Sequence, residues 1–140
     1  TENANIAVSV NVSSNTESVS EAVSALLNEH PEINVLVGFN EWMTLGIGYT
    51  IKQLDLSDKV YAVGFDRNSV CIGMLETGEI DTLIVQNPFA IGYLGVKNAA
   101  KVISGETVFG REFYTESVAV NKENLFDADI QKLVFEFDKH

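Results

Sequence analysis

Ile33-Asn34-Val35-Leu36-Val37-Gly38-Phe39-Asn40-Glu41 and Val60-Tyr61-Ala62-Val63-Gly64-Phe65-Asp66 are short, mostly apolar runs that end alike, each closing on a polar residue where a helical stretch begins. A run apolar on both faces reads as a strand inside a parallel sheet, and parallel neighbours need a helical crossover between them. The pattern from Glu41 to about Leu54 supplies that crossover. Working upstream, Ile6 to Val12 reads as another strand. Ser14 and Glu17 then have capping-box spacing, and Val19, Ala22, Val23, Leu26 and Leu27 form one apolar helix face that ends near Pro31. Downstream, a helix is predicted from about Asn68 to Thr77, with Gly78 as its left-handed cap, followed by a strand at Thr82-Leu83-Ile84-Val85. Ala90 to Ser104 is helical again, with Tyr93, Val96, Ala99, Ala100 and Ile103 on one side and Gly105 after it. The order βαβαβαβα predicts the α/β class, a parallel β-sheet with helices covering both faces. After Glu106 the rhythm weakens: Arg111 to Asn121 alternates loosely and Asn124 to His140 has no clear face. No Gly-, Pro- or Ser-rich linker marks an internal domain boundary.

Composition narrows the function. The 140 residues are 46% hydrophobic, enough for a core, which excludes disordered and low-complexity classes. Nine Lys plus Arg against 20 Asp plus Glu give a net charge of −11, and the first Lys or Arg is Lys52. Nucleic acid and anionic membranes need a positive footprint that this chain does not offer, so no nucleic-acid partner is expected through it. No apolar run is long enough for a spanning helix, and the N-terminal stretch does not read as a signal peptide. One cysteine rules out an internal disulfide, and with only two histidines no metal site is expected.

In an open parallel sheet, ligands sit beyond the carboxyl ends of the strands. Asn40, Asp66 and Gln86 each directly follow or end an apolar run there, offering an amide, a carboxylate and a second amide. Those groups suit a cluster of neutral hydroxyls, as on a sugar or polyol, better than a phosphate. Asn40 and Asp66 also precede helices, so each is equally a good N-cap, and Gln86 could be an ordinary strand end. Trp42, the only tryptophan, lies within a turn of Asn40, where its ring could stack on a sugar or simply pack on its helix. Catalysis lacks its parts: Cys71 and His30 are not linked by any pattern, and no carboxylate pair or placed nucleophile is evident. Gly46-Ile47-Gly48 falls inside a helix, where small residues allow close packing, so no dinucleotide or other cofactor is expected. The chain is read as a binding protein, not an enzyme.

Leu26-Leu27-Asn28-Glu29-His30-Pro31-Glu32-Ile33, Val37-Gly38-Phe39-Asn40-Glu41, Leu45-Gly46, Val63-Gly64-Phe65-Asp66, Leu75-Glu76-Thr77-Gly78-Glu79-Ile80 and Val85-Gln86-Asn87-Pro88 follow one another, with Gly92, Gly95 and Gly105 later. In order and spacing this resembles the C-terminal part of the type I periplasmic sugar-binding protein family, whose ribose- and galactose-binding members share their fold with the effector domains of LacI-type repressors. Two departures stand out: Glu41 replaces the usual Asp, and Trp42 and Thr44 replace commoner Glu or small residues. The resemblance implies that Asn40, Asp66 and Gln86 hydrogen-bond ligand hydroxyls. It implies a two-lobed protein of which residues 1–86 and about 115–140 belong to the C-terminal lobe, while about 87–114 pack on an N-terminal lobe missing from this sequence. The function implied is sugar binding for an ABC transporter permease, in the periplasm or outside the cell; the alternative is the sugar-binding domain of a LacI-type regulator in the cytoplasm. Apolar faces left without their covering lobe predict self-association.

Overall fold

The computed structural model describes residues 5–108, 110 and 112–135; Arg111 in the alternating run and residues 136–140 of the tail lie outside the described residues. The elements are α1 (Thr16–Glu29), β1 (Val35–Val37), α2 (Glu41–Leu54), β2 (Tyr61–Phe65), α3 (Ser69–Thr77), β3 (Thr82–Gln86), α4 (Pro88–Ile103), β4 (Ser117–Val120) and α5 (Ala128–Val134). They build a mixed α/β fold around a four-stranded sheet of order β1-β2-β3-β4. The first three strands run parallel, with Val37 opposite Val63 and Phe65 opposite Ile84; β4 returns antiparallel, with Val120 opposite Leu83.

Each helix start has a local cause. Asn15, Asn40, Asn68 and Asn87 cap α1 to α4, each side-chain oxygen accepting the N–H three residues on. The cap of α1 is therefore Asn15, one residue past the predicted Ser14. Pro88 sits in the first turn of α4, so that helix begins two residues before Ala90, at a place where proline loses no hydrogen bond. Gly78 closes α3 at φ 97°, the left-handed conformation that glycine adopts without penalty.

The core lies between the sheet and α1, α2 and α3. Leu36, Ala62, Leu83, Val85 and Val120 are buried from the sheet, against Val19, Val23, Leu45, Ile47, Ile51, Cys71, Met74 and Leu75. The small residues of α2 do allow close packing: a Cβ on Gly46 would fall 2.5 Å from Val19 Cβ, and one on Gly48 2.4 Å from Met74 Sδ.

Two expectations fail. Residues 5–13 form no strand, although Val12 packs against the core. A strand exists only beside a partner, and among the described residues β1 bonds only to β2. Burial along β1 to β3 also alternates instead of being continuous: Val35, Val37 and Tyr61 on the other face stay about half exposed, so the sheet is well covered on one side only. In α4 no residue is buried; Val96 is 74% and Ile103 87% exposed. No helix among the described residues is long and apolar enough to cross a membrane.

Candidate functional site

Parallel strands bring β1, β2 and β3 to one edge, where their chains turn into α2, α3 and α4. Asp66 and Gln86 meet there: with Arg67 and Pro88 they line a hollow of about 250 Å³. Asp66 adopts φ 69°, a left-handed conformation tolerated by aspartate at modest cost, while its N–H holds on to β3 through Ile84 O at 3.1 Å. Neither the Asp66 carboxylate nor the Gln86 amide makes a side-chain hydrogen bond among the described residues. Both are unspent polar groups at the mouth of a shared space.

Asn40 stands one strand away. Counting three residues past the Val37–Val63 pair puts it level with Asp66, though it does not line the hollow. Its Oδ1 accepts from Met43 N–H at 2.9 Å, the capping role, while its Nδ2 makes no hydrogen bond to the described residues. The carbonyl oxygen of Asn40 is held by Thr44, through N–H at 3.0 Å and Oγ1 at 2.9 Å. Trp42, in the first turn of α2, is 47% exposed and also does not line the hollow.

Two features of this edge were invisible to motif reading. Arg67 lines the hollow, and its Nη1 donates to Leu133 O at 2.6 Å and Val134 O at 3.2 Å, the carbonyls at the C-terminal end of α5. A cation is well placed there, since a helix C-terminus carries partial negative charge. Phe39 packs on Phe65, ring centroids 5.6 Å apart and tilted by 46°, which sets an exposed aromatic surface beside Asn40 and Asp66. Only the placement of Arg67 directly after Asp66 could have flagged the first; the second follows once residues 39 and 65 are aligned as strand ends.

Cys71 is no nucleophile. Burial pushes its thiol up to about 12, with the charges of Glu41 and Asp66 adding to the effect, so the thiolate is absent near neutrality. His30 caps the C-terminal end of α1, with Nδ1 3.3 Å from Glu32 Oε1. Among the described residues no group of three His, Cys, Asp or Glu could hold a metal ion.

The sequence profile of the periplasmic binding protein domain matches residues 3–107. The ribose import binding protein of Escherichia coli strain K12 is 35% identical over 83 residues, 59% of this chain and 28% of that protein. The D-ribose/D-allose-binding protein of Pseudomonas aeruginosa is 30% identical over 84 residues, 60% of this chain and 26% of that protein. Among solved structures, a carbohydrate transporter solute-binding protein from Agrobacterium radiobacter, in complex with D-arabinose, matches with a TM-score of 0.77 at 33% identity, over 86% of this chain and 41% of the other. The matched portion thus spans little more than a quarter of the length of these curated relatives. The order of strands and helices, the strand-end motifs and this match agree, and the chain belongs to the periplasmic binding protein domain family.

Proposed function

We propose that the chain is the ligand-gripping portion of a solute-binding protein that takes up a sugar or related polyol and delivers it to an ABC transporter permease, on the outer side of the cytoplasmic membrane. The observation that carries this reading is the pairing of Asp66 and Gln86, whose side chains make no hydrogen bond among the described residues, on one hollow at the carboxyl edge of the sheet. A carboxylate accepts from hydroxyls in charge-assisted bonds, and an amide both donates and accepts, so the pair matches the alternating demands of a polyol. Asn40, just beyond the end of β1, adds an Nδ2 that makes no hydrogen bond to the described residues, and Trp42 flanks the same edge. The relatives named for ribose and allose, and the carbohydrate transporter solute-binding protein solved in complex with D-arabinose, support the ligand class, and those named for import or transport favour transport over a regulatory role.

On this reading residues 1–86 and about 115–140 form one lobe, and the segment about 87–114 packs against a second lobe supplied by the full-length protein. The exposure of α4 supports that division. Closure of the second lobe over the hollow would exclude water and strengthen each polar contact. The protein binds its ligand and releases it unchanged.

In the full-length protein, Asp66→Ala is expected to weaken sugar binding by more than about 1.5 kcal/mol through loss of a charge-assisted hydrogen bond. Calorimetry with D-ribose, D-allose and D-arabinose, preceded by a thermal-shift screen, measures it; unchanged affinity for the best ligand would remove Asp66 from the site.

A further inference from the structure

Thr44 is fully buried in the first turns of α2, and its hydroxyl reaches out of its own helix. Phe65 N–H donates to Thr44 Oγ1 at 2.9 Å, while the hydroxyl proton has two acceptors within reach, Asn40 O at 2.9 Å and Phe65 O at 3.1 Å. Bonding back to the carbonyl four residues earlier is an ordinary habit of a helical threonine. The bond from Phe65 is not local, and the sheet explains it. Tyr61 N–H donates to Asn34 O at 2.9 Å, and Gly38 N–H to Val63 O at 2.9 Å, so the ladder between the two strands runs to the end of β1. There the chain turns to cap α2, and the next donor of β2, Phe65 N–H, has no strand carbonyl opposite it. The Thr44 hydroxyl stands in for that carbonyl. Its methyl end is equally constrained, because a Cβ on Gly64 would lie 2.3 Å from Thr44 Cγ2.

The two backbone positions joined in this way are Asn40 itself and the residue directly before Asp66. We propose that Thr44 is a positioning residue for ligand recognition: its hydroxyl stitches the turn bearing Asn40 to the strand end bearing Asp66 and so fixes the spacing of their polar groups. The proposal rests on the reading that these two residues bind ligand hydroxyls. It adds a residue that touches no ligand and that neither the strand-end pattern nor the lining of the hollow selects.

The test uses the full-length protein and whichever of D-ribose, D-allose and D-arabinose the wild type binds most tightly, with affinity and melting temperature measured on each variant. Thr44→Val, close in shape but without the hydroxyl, is expected to weaken binding at least about fivefold at a temperature where it is fully folded, whereas Thr44→Ser is expected to stay within about twofold of wild type despite losing a methyl. A merely structural role would lower both melting temperatures and leave both affinities alone; that outcome overturns the proposal, as does a Ser variant weakened as much as the Val variant. If Thr44→Val does not fold, Thr44→Ala against Thr44→Ser makes the same comparison. Asp66→Ala separates the two levels: retained binding in that variant sinks the site itself, while its loss alongside a wild-type affinity in Thr44→Val sinks only the role of Thr44.

Discussion

The side chain of Asn40 has two ends, and only its oxygen is committed to α2. Capping and ligand binding are alternatives at the level of sequence, but one amide can do both, because the N–H of Met43 takes the acceptor and leaves two donors. Asn40→Asp keeps an acceptor for the cap and removes those donors. It is therefore expected to melt near the wild-type temperature while losing about tenfold in sugar affinity, roughly 1.4 kcal/mol, with repulsion from Asp66 adding to the loss. Asn40→Ala should lose the affinity and also about 1 kcal/mol of stability. Equal affinity in the Asp variant, measured by calorimetry, would confine Asn40 to its cap. The candidate positions were legible because a strand end facing a helix start is a local signal. Arg67 and Thr44 were not, since what makes them matter lies 66 and 21 residues away in the chain.

At the scale of elements, α2 was read to its ends and β2, α3 and β3 to within a residue of theirs, because each is bounded by its own apolar period and its own cap. The run from Ile6 to Val12 has the composition of a strand but no partner strand among the described residues, and composition cannot supply one. The antiparallel return of β4 escaped for a related reason: its pairing with β3 is a long-range choice. One inter-element brace makes a pH prediction. Lys52 on α2 donates to Glu79 Oε1 at 2.8 Å, and Thr77 also bonds that carboxylate, in the turn between α3 and β3. Burial pushes the Glu79 pKa up, but the bonds from Lys52 and Thr77 outweigh it and hold it below the ordinary 4.5. A lowered folded value means stability present above the ordinary value and lost as pH falls through the folded one. Lys52 is largely exposed, so Lys52→Met is expected to cost only about 1 kcal/mol at neutral pH, by urea unfolding. The difference should shrink toward zero as the carboxylate is protonated below pH 4.5. A pH-independent difference would mean that Lys52 contributes by packing alone.

For the molecule as a whole, α4 and the half-exposed sheet face of Val35, Val37 and Tyr61 set apolar surface against a net charge of −11. The 140-residue chain by itself is expected to associate with its own copies, more strongly as salt screens their repulsion, and Val96→Glu or Ile103→Glu should restore the monomer in sedimentation velocity. A chain that stays monomeric at high salt would show that these faces are not sticky. On the proposed two-lobed reading, in which a second lobe supplies one wall of the cleft, this chain alone should bind sugars weakly; sub-micromolar binding would contradict that reading. Arg67 adds a practical consequence. Through one guanidinium, the C-terminal end of α5 is wired to the rim where a sugar would rest. Strain on that helix end should therefore degrade recognition before it degrades folding: in the full-length protein, a substitution that unseats the last turn of α5 is expected to lower sugar affinity by calorimetry more than it lowers the melting temperature.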